Sequence, residues 1–209
     1  MTAIKICGLT RADEAVECLR AGATHLGLNF HRRSPRCIAS SLAAEIVAAA
    51  RAARHDVEMV GVFVDEPMEW VRAVVDELGL DAVQFHGDQQ PDDLAPWGTK
   101  AWKVLSVSDQ PDEGEIDRFP TVGAFLLDRA SSTQRGGTGT AWGYDAAARF
   151  AARTPTWLAG GLAPDNVAAA VRAAVPYGVD ACSRLECAPG RKDLRLVRRF
   201  VEEVRRGEV

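Results

Sequence analysis

The sequence predicts an α/β fold, a closed (β/α)8 barrel that occupies a single domain over residues 1–209. Two observations predict it: strand-like apolar runs alternate with alanine-rich helical segments along the chain, and eight such strands can be counted. A chain of 209 residues, 47% of them hydrophobic, can bury one large core and lies at the small end of the barrel size range. An open, doubly wound parallel sheet is the structural alternative.

The expected elements follow one another in regular order. Strands are predicted at residues 3–7, 25–30, 57–64, 82–85, 101–104, 123–127, 157–159 and 179–182. Helices are predicted near residues 13–21, 41–53, 67–78, 91–97, 144–152, 164–174 and 194–206. Residues 110–118, in the fifth connection, are acidic and poorly periodic. Pro67 and Pro164 each adjoin acidic residues, an arrangement typical of a helix start.

Composition and charge exclude several classes of partner. The net charge of -4 predicts no nucleic-acid partner and no attraction to an anionic membrane surface. The arginines of residues 191–206 are mixed with glutamates, which is typical of a solvated helix face. No apolar run reaches the roughly 20 residues that a membrane span requires. The five cysteines show no framework spacing, so we expect a reduced, cytoplasmic protein of undetermined oligomeric state.

Chemically capable residues concentrate directly after the predicted strand ends. In a closed parallel barrel these positions share one mouth, where catalytic groups are found. They are Cys7 after the first strand, Arg32, Arg33 and Arg36 after the second, Asp65 after the third, His86 after the fourth, Asp128 after the sixth, Gly160 and Gly161 after the seventh, and Ser183 and Arg184 after the eighth.

The cysteines are not equivalent in this scheme. A free cysteine is usually a small buried hydrophobe, but the place of Cys7 at a strand tip favours a functional role. Cys18 and Cys37 are expected in packing. Cys182 and Cys187 lack the spacing of a four-ligand metal site, so no metal is predicted. For the histidines, His25 and His55 are expected to be structural or exposed, whereas His86 suits packing and the site equally.

Two glycine-rich segments carry different expectations. Gly160 and Gly161 let backbone N–H groups approach an anion, and the loops after strands 7 and 8 are the usual phosphate site of a barrel. A glycine pair alone is more often a tight turn. The segment 136–140 lacks the Lys-Ser/Thr of a phosphate-binding P-loop, so a mobile flap over the mouth is predicted there.

Eight separated motifs between residues 4 and 193 resemble, in order, those of the phosphoribosylanthranilate isomerase family. They are Lys5-Ile6-Cys7-Gly8-Leu9-Thr10, Ser34-Pro35-Arg36, Val60-Gly61-Val62-Phe63-Val64, Val83-Gln84-Phe85-His86-Gly87, Leu127-Asp128, Gly136-Gly137-Thr138-Gly139, Ala159-Gly160-Gly161-Leu162 with Asn166, and Pro189-Gly190-Arg191-Lys192-Asp193.

The resemblance implies a TIM barrel of tryptophan biosynthesis that acts on a small phosphorylated substrate without a cofactor. The implied reaction is the Amadori rearrangement of N-(5-phosphoribosyl)anthranilate. Cys7 would be the general base, which requires a thiolate and a lowered pKa, and Asp128 the general acid, which requires a raised pKa. Arg36 would bind the anthranilate carboxylate bidentately. The other residues implied in substrate binding are Gln84, His86, Gly160, Gly161, Ser183 and Arg184.

The chain departs from the family pattern after the last strand. It has Cys182-Ser183-Arg184-Leu185-Glu186 where Ser-Ser-Gly-Val-Glu is usual, and Trp142-Gly143-Tyr144 where Phe-Asp-Trp is usual. An arginine at a positive φ would cost about 1 kcal/mol in strain; alternatively, Arg184 supplies a cation to the phosphate or fills the site. A diverged paralogue for another phosphorylated sugar adduct is therefore a second hypothesis. A binding protein without turnover is a third, and the retention of Cys7, Arg36 and Asp128 argues against it.

Overall fold

The computed structural model describes residues 1–107, 111–129 and 144–208 and shows a closed barrel of eight parallel strands surrounded by helices. The barrel strands are β1 (Ala3–Ile6), β2 (His25–Asn29), β3 (Glu58–Val64), β4 (Ala82–His86), β5 (Ala101–Val107), β6 (Ala124–Arg129), β7 (Thr156–Ala159) and β8 (Gly178–Ala181). A short antiparallel pair follows, β9 (Glu186–Ala188) and β10 (Arg191–Lys192). The helices are α1 (Ala12–Ala21), α2 (Ser40–Ala53), α3 (Met68–Leu78), α4 (Pro91–Leu94), α5 (Gly114–Arg118), α6 (Tyr144–Ala151), α7 (Val167–Ala174) and α8 (Leu194–Gly207).

Closure of the sheet confirms the predicted fold class. β1 pairs in parallel with β2 on one side and with β8 on the other, and the β1–β8 register runs from Ala3 opposite Gly178 to Ile6 opposite Ala181. The open-sheet alternative is therefore wrong. None of the helices in the described parts of the chain is long and apolar enough to cross a membrane.

The last helix shows how the outer layer is held. Asp193 caps α8 by accepting a hydrogen bond from the backbone N–H of Arg195 at 2.9 Å. Val197, Phe200 and Val204 are spaced by three and four residues, and all three are fully buried. Because this apolar stripe packs between α7 and α1, α8 joins the two ends of the helical ring.

The interior of the barrel changes character along the strands. Alternate strand residues point inward. Near the amino ends, Trp102 and Trp157 stack with their ring centroids 4.7 Å apart, and the buried His25 ring contacts Trp157 edge-on. His25 is therefore structural, as predicted. Further along the strands the buried residues become polar and include Lys5, Gln84 and Asp180.

Several boundaries differ from the expected ones. β5 continues to Val107 rather than ending at residue 104. The helix predicted at residues 91–97 is the short α4 followed by a 3-10 segment, Ala95–Lys100, which is interrupted at Gly98 by a positive φ. α7 begins at Val167 because residues 164–166 form a turn. α5 is a helix despite its poor periodicity, and the β9–β10 pair was not predicted. The predicted flap at residues 136–140, and Trp142, lie outside the described residues.

Candidate active site

A cavity of about 260 Å³ opens at the carboxyl ends of the barrel strands. Its wall contains all nine residues that were predicted to act on the substrate: Cys7, Arg36, Gln84, His86, Asp128, Gly160, Gly161, Ser183 and Arg184. Arg32, Arg33 and Asp65, which also follow strand ends, do not line it. The wall is completed by Asn29, Val62, Leu126, Ala159, Leu162, Asp180 and Cys182.

Cys7 lies at the tip of β1 with its sulfur inside the barrel. A Cβ atom built on Gly27 of β2 would lie 2.7 Å from the Cys7 sulfur and 3.0 Å from Nζ of Lys5, so the absence of a side chain at Gly27 makes room for both groups. The pKa of Cys7 is lowered, first by hydrogen bonding from the neighbouring Cys182 thiol and then, against the effect of burial, by the charge of Lys5. The lowered pKa agrees with the expectation for a thiolate base.

A buried ion pair lies beneath the cavity. Nζ of Lys5 is 2.9 Å from Oδ2 of Asp180, and the Lys5 side chain is fully buried. Burial alone would lower the pKa of Lys5, but the charges of Asp180 and Cys7 raise it above its ordinary value, so the ammonium keeps its proton. Oδ1 of Asp180 accepts no hydrogen bond from the residues that the structure describes.

Asp128, at the carboxyl end of β6, has the opposite electrostatic environment from Cys7. Burial, and then the charge of Asp180, raise the pKa of Asp128 to about 6, against a smaller lowering by Lys5. At Cys7 the relative size of these two effects is reversed, because the charge of Lys5 lowers the pKa of the thiol more than the charge of Asp180 raises it. One ion pair therefore favours ionisation of the thiol and protonation of the carboxyl group, which is the division of roles that an acid and a base need.

Arg36 is held in a fixed orientation by Glu186. Its Nε and Nη2 atoms lie 2.8 and 2.6 Å from the two carboxylate oxygens, and the carboxylate is only 4% exposed. The same carboxylate accepts from Nζ of Lys192 at 2.8 Å. Since Nη1 of Arg36 makes no hydrogen bond within the described part of the chain, this edge of the guanidinium is left for a ligand. Because both side chains are largely shielded from solvent, the pair is not an exposed surface salt bridge.

Gln84 and His86 form a neutral polar pair on β4. Their Nε2 atoms are 2.7 Å apart. Burial lowers the pKa of His86 to about 4, so the ring is neutral and its Nε2 accepts from the amide of Gln84. The amide oxygen of Gln84 is buried and has no donor among the described residues. This oxygen can accept a hydrogen bond from a ligand hydroxyl or amine.

The loops after β7 and β8 form the remaining wall. Gly160 and Gly161 have φ values of 81° and 74°, which glycine adopts without strain. Arg184 lies in a 3-10 segment, Ser183–Leu185, and its φ is not positive, so the strain considered for an arginine here is absent. Its side chain is 58% exposed, and its guanidinium lies 3.7 Å from a carboxylate oxygen of Asp165. Arg184 therefore lines the cavity from the solvent side.

The comparisons with known proteins agree with this geometry. A family model described as N-(5'phosphoribosyl)anthranilate (PRA) isomerase matches residues 4–203. The chain belongs to this family. It is 40% identical over 201 residues to the N-(5'-phosphoribosyl)anthranilate isomerase of Pelobacter propionicus, covering 96% of this chain and 94% of that one.

Solved structures of the family have the same fold. The phosphoribosyl anthranilate isomerase of Thermotoga maritima superposes with a TM-score of 0.87 at 29% identity, covering 98% of this chain and 99% of that one. A second structure, of a phosphoribosyl anthranilate isomerase in complex with reduced 1-(o-carboxyphenylamino)-1-deoxyribulose 5-phosphate, superposes with a TM-score of 0.84 at 28% identity and the same coverage.

Several groups of the site were not assigned to it from the sequence. They are Lys5, Asp180, Cys182, Glu186 and Lys192. The two-residue repeat of a strand could have identified Lys5 and Asp180. Lys5 lies two positions before Cys7, and Asp180 lies two positions before Cys182, so each shares the inward face of the strand with that thiol. Glu186 and Lys192 could not be found in this way, because they follow the barrel strands and belong to the unpredicted β9–β10 pair.

The other cysteine and histidine predictions have mixed outcomes. Cys18 is fully buried in the core, as expected, and burial raises its pKa to about 12. Cys37 is half-buried, and His55 is exposed. Among the described residues, no group of three or more His, Cys, Asp or Glu side chains could hold a metal ion. Cys182, which was rejected as a metal ligand, lies in the cavity wall beside Cys7.

Proposed function

We propose that this chain catalyses the Amadori rearrangement of N-(5'-phosphoribosyl)anthranilate to 1-(2-carboxyphenylamino)-1-deoxyribulose 5-phosphate, a step of tryptophan biosynthesis, without a cofactor. The observation that carries the proposal is the pairing of Cys7, a thiol whose pKa is lowered, with Asp128, a carboxyl group whose pKa is raised, in the wall of one cavity. The ligand of the related complex has the phosphate and carboxyphenyl groups that the proposed product would have.

In the proposed mechanism Asp128 acts first. Its carboxyl group donates a proton to the furanose oxygen, the ring opens, and the substrate becomes a protonated Schiff base. The Cys7 thiolate then removes the proton from C2', and the electron pair of the C–H bond moves toward the iminium nitrogen. The resulting enol-amine becomes the ketone when C1' gains a proton and the C2' hydroxyl loses one. Protons are moved but not consumed, so the reaction needs no external oxidant or reductant.

The remaining wall residues would hold the two ends of the substrate. Arg36 would bind the anthranilate carboxylate through the edge of its guanidinium that faces away from Glu186. Gln84, with its free amide oxygen, and the neutral His86 would contact the sugar.

The phosphate would bind at the loops that follow β7 and β8. Gly160 and Gly161 would offer backbone N–H groups, Ser183 a hydroxyl, and Arg184 an exposed cation. All five cysteines are unpaired, which supports a reducing, cytoplasmic location for a single-domain enzyme.

The pH dependence of turnover tests the assignment of acid and base. Turnover should be measured as the loss of substrate fluorescence, and kcat/KM should follow a bell-shaped profile. It should fall at low pH as Cys7 gains a proton, and at high pH as Asp128, with a pKa of about 6, loses one. Cys7→Ser and Asp128→Asn should each lower kcat by about 10²- to 10⁴-fold, whereas Arg36→Met should mainly raise KM.

Each alternative predicts a different result. Near-normal kcat for Cys7→Ser would show that another group is the base. Wild-type protein that binds the reduced product analogue but fails to rescue a tryptophan auxotroph would instead be a binding protein. Turnover of a different phosphorylated sugar adduct in preference to this one would favour the diverged paralogue.

A further inference from the structure

Two thiols face each other where β1 meets β8. Lys5 and Asp180 are opposite each other in the parallel register, and their side chains touch inside the barrel at 2.9 Å. Residues two positions further along a strand point to the same side, so Cys7 and Cys182 form the next pair on this inner face. The backbone N–H of Cys7 donates to the carbonyl of Ala181 at 3.0 Å, so the two strands are still joined at this level.

This arrangement suits a covalent link between the two sulfurs. Neighbouring strands lie about 4.8 Å apart, and the Cα atoms of a disulfide are usually about 4.4–6.8 Å apart. We propose that Cys7 and Cys182 form a reversible disulfide when a hydroperoxide oxidises the Cys7 sulfur. Cys182 is then the resolving partner of the proposed catalytic base.

The surroundings meet the three requirements of such a reaction: thiolate character, access and a nearby second thiol. Lys5 and the Cys182 thiol favour the ionised form of Cys7. Both cysteines line the open cavity, so a small hydroperoxide can reach them. Nζ of Lys192 lies 3.9 Å from the Cys182 sulfur and 3.3 Å from its carbonyl oxygen, which fixes the position of that residue.

The other thiols are less suited to the same chemistry. Burial raises the pKa values of Cys18 and Cys37, which keeps both sulfurs protonated at neutral pH. Cys187 is exposed on β9, and its sulfur contacts the backbone carbonyl of Arg191 at 3.5 Å. It lies outside the cavity and serves as a reference thiol.

The chemistry balances in two steps. The Cys7 thiolate attacks the terminal oxygen of the hydroperoxide, the O–O bond breaks, and two electrons pass from sulfur to the peroxide. Cys7 becomes a sulfenic acid, and the second oxygen leaves with a proton as an alcohol, or as water from hydrogen peroxide. The Cys182 sulfur then attacks the Cys7 sulfur, the S–O bond breaks, and hydroxide leaves with the Cys182 proton as water.

The disulfide would remove the thiolate that takes the C2' proton, and reduction by a thiol would restore it. The predicted loss of turnover rests on the proposed function. Formation of the disulfide does not depend on the proposed function, because it can be measured by mass alone.

The test is a hydrogen peroxide titration of the reduced, full-length protein. Mass spectrometry of the quenched protein should show the loss of two hydrogen atoms, and its proteolytic digest a peptide in which Cys7 is joined to Cys182. Isomerase activity in the same samples should fall at least about tenfold and return after treatment with dithiothreitol.

Two variants complete the design, each compared with its own untreated activity. Cys182→Ser should give no linked peptide, and excess peroxide should drive its Cys7 to the sulfinic acid, so that dithiothreitol no longer restores activity. Cys187→Ser, the matched control, should form the linked peptide and recover as the wild type does.

Inactivation of the wild type without a linked peptide would overturn the proposal, and so would equal recovery of Cys182→Ser at the same dose. A linked peptide in a protein that has no isomerase activity before oxidation would support the disulfide and refute the proposed function.

Discussion

The two ends of the barrel interior use burial in opposite ways. At the amino end, Trp102, Trp157 and His25 pack against one another, and burial lowers the pKa of His25 to about 3, so the cluster is uncharged. At the carboxyl end the shielded groups are ionisable, and they include Cys7 and Asp128, the proposed base and acid. The same eight strands therefore carry one half that stabilises the fold and one half that is proposed to react.

The boundary between the halves is the Lys5–Asp180 ion pair, whose partners are 2.9 Å apart. Its charges shift the ionisation of the cavity groups above it. The aromatic half needs no such pair, since its rings are neutral. Substitutions in the two halves should therefore separate stability from turnover.

Truncation of the aromatic cluster should have the largest effect on stability. Trp157 is fully buried, and Trp157→Ala should lower the free energy of unfolding by about 3–5 kcal/mol in urea titrations. The native fraction should keep kcat within a few-fold of the wild type. Trp157→Phe is the matched control and should cost much less, because it keeps a ring and removes an indole N–H that has no acceptor among the described residues. A large kcat loss in Trp157→Ala would contradict the separation of the halves.

Gly27→Ala should affect the reactive half instead. The added methyl group would come within 3.0 Å of both the Cys7 sulfur and Nζ of Lys5, so these groups must shift and kcat should fall about a hundredfold. Gly61→Ala is the matched control, since its methyl group would come equally close, at 2.7 Å, to Leu80 and Phe63 in the core outside the cavity wall. Both variants should lose stability, but only Gly27→Ala should lose turnover. Equal kcat values would refute the space-making role of Gly27.

Asp128→Asn should stabilise the fold while removing turnover. The folded-state pKa of about 6 is above the ordinary value of 3.8, so folded Asp128 holds its proton more tightly than the unfolded chain does. Wild-type stability therefore falls as pH rises through this window, and the full penalty is present above it. Allowing for the partial exposure of Asp128, the variant should gain about 2 kcal/mol at pH 8. The gain should vanish near pH 3, and a gain that is independent of pH would contradict the titration argument.

The smallest effect on turnover is expected at Arg184, the exposed cation of the cavity wall. Arg184→Gly, which introduces the residue usual in the family, should raise KM about threefold to tenfold with kcat unchanged, since an exposed cation contributes about 1 kcal/mol to binding a phosphate. Arg199→Gln is the control, because Arg199 lies in the groove beside Arg184 but not in the cavity wall. If Arg184→Gly lowered KM, Arg184 would hinder the phosphate rather than bind it.

The elements that sequence patterns predicted are those with strong local signals. The eight strands and most of the helices could be predicted because apolar residues recur with the period of each element, and the nine predicted wall residues lie near the carboxyl ends of predicted strands. The first turn of α7 was placed wrongly, since Pro164 is as compatible with the turn at residues 164–166 as with a helix start.

Long-range contacts account for what was missed in the site. The contact of Arg36 with Glu186 joins residues 150 positions apart. No local pattern indicates that a guanidinium shares its carboxylate with Lys192, or that Cys182 lies beside Cys7. The roles of the nine wall residues stay predictions until kinetics test them.

The sequence separation of Lys5 and Asp180 has a consequence for biosynthesis. The two residues are 175 positions apart, and Cys182, Glu186 and Lys192 come later still. During translation Cys7 and Lys5 leave the ribosome long before Cys182 and Asp180, so through most of synthesis the Cys7 thiol lacks the Cys182 hydrogen bond and Lys5 lacks its partner. Catalytic competence should therefore arise at a late folding step, when β8 docks on β1.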